Sequence, residues 1–237
     1  MNMGGQLESE IGVKETTLIN QKSPGKQREG MFEQTVRLRY LLFLPRGYGT
    51  SPEEKWPLIL YLHGAGDRGN DLELVKARGI PKIAARQPDF AFIAVSPQCP
   101  DETMWLDHHL TLKALLDEVV ADYALDVDRI YLTGFSMGGY GTWTLATRYP
   151  ELFAAIAPIC GGGLPEFVSE LKDVPVWAFH GAEDDVVKLE VGQRMVDAVR
   201  ACGGDVRFTV YPGVGHDSWT QTYDNPELYE WFLQHTR

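Results

Sequence analysis

From Trp56 onward the chain repeats one pattern: a short apolar run, a turn signal, an amphipathic stretch, then another apolar run. Runs that are apolar at nearly every position suit strands buried on both faces, and the amphipathic stretches between them are long enough to carry parallel crossovers. The runs lie at 58–62, 91–95, 129–133, 154–159, 174–179 and Val206–Tyr211, with helix-like stretches at 72–85, 110–123, 139–148, 190–201 and 225–235. This alternation predicts an α/β fold with a mostly parallel central sheet flanked by helices. In such sheets the chemistry collects in loops leaving the carboxyl ends of the strands.

Ahead of this pattern, strands are expected at 13–20 and 35–44, where Val36, Leu38, Tyr40 and Leu42 alternate with other residues. The polar, turn-rich stretch QKSPGKQREG at 21–30 would join them as an antiparallel pair that begins the sheet. With no internal repeat, the chain reads as a single domain over 1–237, residues 1–34 forming an N-terminal strand and linker region. At 237 residues and 44% hydrophobic content it can bury roughly 70% of its unfolded surface without a metal or disulfide staple.

A formal net charge of −11, with no basic run, argues against a nucleic-acid partner. Cys99, Cys160 and Cys202 cannot all pair with one another and lack metal-ribbon spacing, so each is expected to be a small buried residue. The first ten residues lack a basic region followed by an apolar stretch, and no apolar run approaches a membrane span. The expectation is a soluble protein with no membrane partner, cytoplasmic by default or secreted if a signal peptide has been removed. Nothing in the sequence speaks to oligomeric state.

The segment GFSMG at 134–138 has the form G-x-S-x-G and sits between an apolar run and a helix-like stretch. A sharp strand-to-helix turn strains the backbone at Ser136 and crowds its neighbours, so Gly134 and Gly138 relieve a clash while the turn lifts Oγ above the sheet. A serine hydroxyl needs a base. Of six histidines, His216 follows the last strand in the loop PGVGH, whose residues suit a projecting side chain. His63 and His180 are expected to support their own turns, His108 and His109 are adjacent rather than spaced to share a face, and His235 falls in the final helix.

An orienting carboxylate must then fix the imidazole tautomer. The loop HGAEDD at 180–185 offers Glu183, Asp184 and Asp185, and spacing alone does not separate them. The order serine, acid, histidine along the chain is the one expected for a nucleophile elbow of this type. After the strand at 58–62, HGAG at 63–66 can aim a backbone N–H at a substrate carbonyl, which makes Ala65 and Met137 the candidate oxyanion donors.

The segments YLHGAGDRGND at 61–71, GFSMGGYGTW at 134–143, FHGAEDDVV at 179–187 and GVGHDSW at 213–219 resemble the phospholipase/carboxylesterase group of α/β hydrolases. The resemblance runs from about residue 35 to the end. It implies the α/β-hydrolase fold and a serine esterase with no metal or organic cofactor, in which Ser136 is the nucleophile, Asp184 the acid, His216 the base, and Ala65 and Met137 the oxyanion donors. Two departures weaken any transfer of substrate identity: Lys188 stands where the group often has proline, and the N-terminal strands are longer than in the smallest thioesterases.

The segment 160–173 is too short for a lid domain, so an open site acting on soluble small-molecule esters with short acyl chains is expected. Trp219, three residues after His216, and Trp105 are candidate pocket walls, whereas Trp143 is expected to pack behind the nucleophile. The same machinery would serve a feruloyl esterase, a thioesterase or a peptidase, and a non-catalytic binding protein on this fold would be expected to have lost the triad.

Overall fold

The computed structural model describes residues 8–11, 36–51 and 53–237. Its strands are β1 (Glu8–Ile11), β2 (Val36–Phe43), β3 (Trp56–Leu62), β4 (Ile93–Pro97), β5 (Leu125–Phe135), β6 (Ala155–Ile159), β7 (Val176–Gly181) and β8 (Val206–Tyr211). They form one eight-stranded sheet in the order β1-β2-β4-β3-β5-β6-β7-β8. β1 and β2, and β2 and β4, pair antiparallel; every later pairing is parallel. This is the α/β-hydrolase architecture. The strand expected at 13–20 and the linker at 21–30 lie outside the described residues, and the partner of β2 is the earlier segment Glu8–Ile11.

Among the described residues seven α-helices flank the sheet: α1 (Leu72–Lys76), α2 (Gly79–Arg86), α3 (His109–Asp122), α4 (Met137–Arg148), α5 (Leu189–Ala201), α6 (Trp219–Asp224) and α7 (Pro226–Leu233). They cover both faces. Alternate strand residues Leu58, Leu60 and Leu62 pack with Leu115 and Val119 of α3, Leu145 of α4 and Val196 of α5. On the other face, Ile59 and Tyr61 pack with Val75 of α1, Ile83 of α2, Tyr223 of α6 and Phe232 of α7. Burial on both sides explains why β3 reads as an unbroken apolar run. Each such side chain contributes about 1.5–3 kcal/mol on leaving water.

The helix expected at 72–85 is two helices. Gly79 has φ +58°, and a Cβ there would lie 2.4 Å from the Tyr61 ring. A left-handed residue cannot continue a right-handed helix, so the chain breaks and restarts as α2. The short helix α6, carrying Trp219, was not expected either. No helix among the described residues is long and apolar enough to cross a membrane.

The chain leaves β3 toward β4 on one side, whereas β5 connects to β6 on the other. A crevice therefore opens beyond the carboxyl ends of β3 and β5. Between β6 and β7 there is no lid domain, only a turn of 3-10 helix at Pro165–Leu171.

Candidate active site

Ser136 links the end of β5 to the start of α4 with φ +53° and ψ −117°. For a residue with a Cβ this conformation costs of order 1–3 kcal/mol, and the surroundings must hold it. They do so through close backbone packing. The Ser136 N–H donates to Ile159 O at 3.0 Å, and a Cβ on Gly134 would lie 2.5 Å from Gly138 O and 2.6 Å from Leu62 O. The turn thus presses against the end of β3 and leaves Oγ half-buried at the crevice.

His216 reaches the serine from the loop after β8. Its Nδ1–H donates to Asp184 Oδ2 at 2.8 Å, and Ser136 Oγ–H donates to its Nε2 at 2.9 Å. A carboxylate can only accept, so the bond to Asp184 places the imidazole proton on Nδ1 and leaves the Nε2 lone pair facing the hydroxyl. The other carboxylate oxygen, Oδ1, accepts from Val186 N–H at 3.0 Å and Val187 N–H at 2.9 Å. Asp184 is 4% exposed. Glu183 and Asp185 face solvent, so the ambiguity left by spacing resolves in favour of Asp184.

The loops bearing acid and base are packed backbone to backbone. Ala182 N–H donates to Tyr211 O at 3.0 Å, Glu183 N–H donates to Val214 O at 2.9 Å, and a Cβ on Gly181 would lie 2.1 Å from Gly215 O. Beneath them, the buried His180 donates from Nε2 to Val187 O at 2.8 Å, which braces the turn that cradles Asp184.

Ala65 opens a 3-10 turn, Ala65–Asp67, and Met137 opens α4. First-turn N–H groups have no partner within their own helix, so both are free to donate to a developing oxyanion. His63, two residues before Ala65, anchors the first of these turns. His63 is fully buried, its Nε2 accepts from Cys99 N–H at 2.9 Å, and its Nδ1–H donates to Gly64 O at 2.6 Å. Burial lowers its pKa to about 4, so it stays neutral and structural. The buried Asp67, ion-paired to Arg78, ties the same turn to the start of α2, and desolvation raises its carboxyl despite the guanidinium.

The two tryptophans expected as pocket walls part company. Trp219 is half-buried, stacks on Phe135 with centroids 4.3 Å apart, and meets the His216 ring edge-on at 5.3 Å. Trp105 is 1% exposed, and its Nε1–H donates to His63 O at 2.9 Å. With no free surface it supports the loop from below, and the pocket-wall expectation is corrected for this residue. Trp143 is buried in the core, as expected.

Sequence reasoning passed over two features. Cys160, the first residue after β6, lies beside Asp184 and His216, and its strand-end position was the one available signal. The Asp67–Arg78 pair carried no local signal, because it joins two different turns.

A model of the phospholipase/carboxylesterase family matches residues 90–225, more than half of the 237. The chain belongs to that family. It is similar to a probable carboxylesterase SOBER1-like of Arabidopsis thaliana, 28% identical over 135 residues, covering 54% of this chain and 50% of the relative. It is also similar to acyl-protein thioesterase 1 of Cryptococcus neoformans, 28% identical over 219 residues, covering 74% of this chain and 91% of the thioesterase. Among solved structures, a thermostable esterase superposes with a TM-score of 0.75 at 37% identity, over 85% of this chain and 60% of that one. The chain thus spans about half the length of the plant relative and 60% of the thermostable esterase. Family and fold place it in the α/β-hydrolase superfamily.

Proposed function

We propose that this chain is a serine carboxylesterase that hydrolyses soluble carboxylic esters with short acyl chains through an acyl-enzyme on Ser136. The observation that carries the proposal is the continuous hydrogen-bonded chain from Asp184 through His216 to Ser136, with spacings of 2.8 and 2.9 Å. In this reading, Oγ attacks the ester carbonyl carbon as its proton passes to His216 Nε2, and Asp184 stabilises the imidazolium. The oxyanion is met by the N–H groups of Ala65 and Met137, each such donor contributing about a hundredfold to a thousandfold in rate. Collapse expels the alcohol, which takes the proton from Nε2–H. Water then repeats the sequence and frees the acid.

The short connection between β6 and β7 supports an open site, and Trp219 beside His216 offers an apolar wall for the substrate. Thioester hydrolysis is the second reading, favoured by the similarity to acyl-protein thioesterase 1, since the same oxyanion site serves either bond. A panel of p-nitrophenyl acyl esters, methyl ferulate, an acyl thioester and a peptide amide, run on wild type and Ser136→Ala, tests both. The expected result is ester hydrolysis that falls on the order of a millionfold in the variant. Full activity in Ser136→Ala would overturn the reading. A rate that keeps rising beyond about ten acyl carbons would overturn the short-chain preference.

A further inference from the structure

Cys160 takes no part in the serine chemistry, yet it lies beside it. The residue is fully buried, holds φ +38°, and donates its N–H to Phe179 O at 2.8 Å. Its Sγ, a carboxylate oxygen of Asp184 and a ring nitrogen of His216 all lie within 4.8 Å of one another. Ser218 adds a fourth polar group: its hydroxyl is close enough to the thiol to favour thiolate, but it is buried and makes no hydrogen bond of good geometry. Burial pushes the free thiol up to about 12.

Thiolate sulfur, imidazole nitrogen and carboxylate oxygen form a donor set suited to zinc, with bonds of about 2.3, 2.0 and 2.1 Å. The ligand atoms around such a tetrahedral ion stand roughly 3.3–3.7 Å apart. Side chains already within 4.8 Å need at most about an ångström and a half of adjustment, without rebuilding the loops. We propose that Cys160, Asp184 and His216 form an inhibitory site for a thiophilic divalent cation such as Zn²⁺.

Binding breaks the S–H bond, releases that proton to solvent and forms a metal–sulfur bond, with no change of oxidation state. If the ion takes His216 Nδ1, the imidazole proton moves to Nε2; if it takes Nε2, the lone pair is used directly. In both cases Nε2 can no longer accept the Ser136 proton. Inhibition therefore rests on the reading of His216 as base, whereas binding does not. Because the His216 side chain is 19% exposed and that of Asp184 is not exposed at all, the ion enters from the substrate side past the imidazole.

The test titrates ZnCl₂ into EDTA-treated wild type and Cys160→Ala, following ester hydrolysis and equilibrium zinc binding, with Cd²⁺ as a second probe for its thiolate charge-transfer absorption. Wild type is expected to bind Zn²⁺ and lose activity reversibly on EDTA addition. The variant is expected to need at least about tenfold more metal, since loss of a ligand exceeds the effect of losing an outer-shell partner. Cys160→Ser, which keeps a polar hydrogen-bonding group in place of the thiol, serves if the alanine variant does not fold. Cysteine-dependent binding without inhibition would support the site and count against His216 as the base. Equal zinc affinity in wild type and variants, with no thiolate–cadmium absorption, would overturn the proposal.

Discussion

A Cβ on Gly138 would lie 1.9 Å from the carbonyl oxygen of Leu62, so the first turn of α4 sits directly on the end of β3. Neither partner can yield, because the obstructing atom is backbone in a central strand. Gly138→Ala is expected to destabilise the fold by about 3 kcal/mol or more and to abolish activity. Urea unfolding with parallel activity measurement checks this, and a variant within about 1 kcal/mol of wild type would refute the close approach.

His63 makes stability depend on pH. The unfolded chain takes up this proton near the ordinary value of 6.5, the folded chain only near about 4. Over that window the unfolded state binds more protons, so stability is fully present above the ordinary histidine value and falls as the pH drops toward 4. The loss amounts to about 3 kcal/mol once both states are protonated. Burial depresses His108 and His235 in the same direction, and they steepen the slope. Denaturant midpoints measured across this range in wild type and His63→Gln should show a shallower dependence in the variant. Identical slopes would contradict the assignment.

Of the three neighbouring carboxylates in the acid loop, Asp184 is the one that bonds to His216. Asp184→Asn is expected to lower kcat about 10⁴-fold, since an amide can donate to Nδ1 and stabilise the wrong tautomer. Asp185→Asn and Glu183→Gln, both on exposed side chains, should stay within about twofold. Comparable losses in all three variants would mean that the loop acts as a charge patch rather than through one oriented bond.

Trp219 and Trp105 should respond to mutation in opposite ways. Trp219→Ala removes the ring that meets His216 and should raise KM or lower kcat/KM by about tenfold at little cost in stability. Trp105→Phe keeps most of the packing but loses the bond to His63 O, which lowers stability by about 1 kcal/mol and leaves KM unchanged. Steady-state kinetics and thermal unfolding on both variants decide the point.

Much of the site was legible because the determining signals are local. The run that became β5, the glycines flanking Ser136 and the turn residues before His216 each constrain backbone within a few positions, and together they place nucleophile and base at strand ends. The single helix expected at 72–85 and the pocket wall expected at Trp105 fail for the opposite reason. Whether Gly79 interrupts a helix depends on the Tyr61 ring from β3, and whether Trp105 faces substrate or core depends on the carbonyl of His63, 42 residues away. Hydrophobic pattern carries no record of either contact.

From sequence alone came the parallel sheet, the order of serine, acid and histidine along it, and the choice of Ser136 and His216 as candidates. These follow from periodicity and from the few residue types that tolerate a sharp turn. Spacing left three carboxylates open and the family resemblance pointed to Asp184; the packed structure supplies the physical reason, because side chains one residue apart point in different directions and only one carboxylate, held by two backbone N–H groups, comes within 2.8 Å of the imidazole. The same packing placed the thiol of Cys160 against that pair, a juxtaposition of three separate strand ends that exists only once the sheet has brought them together.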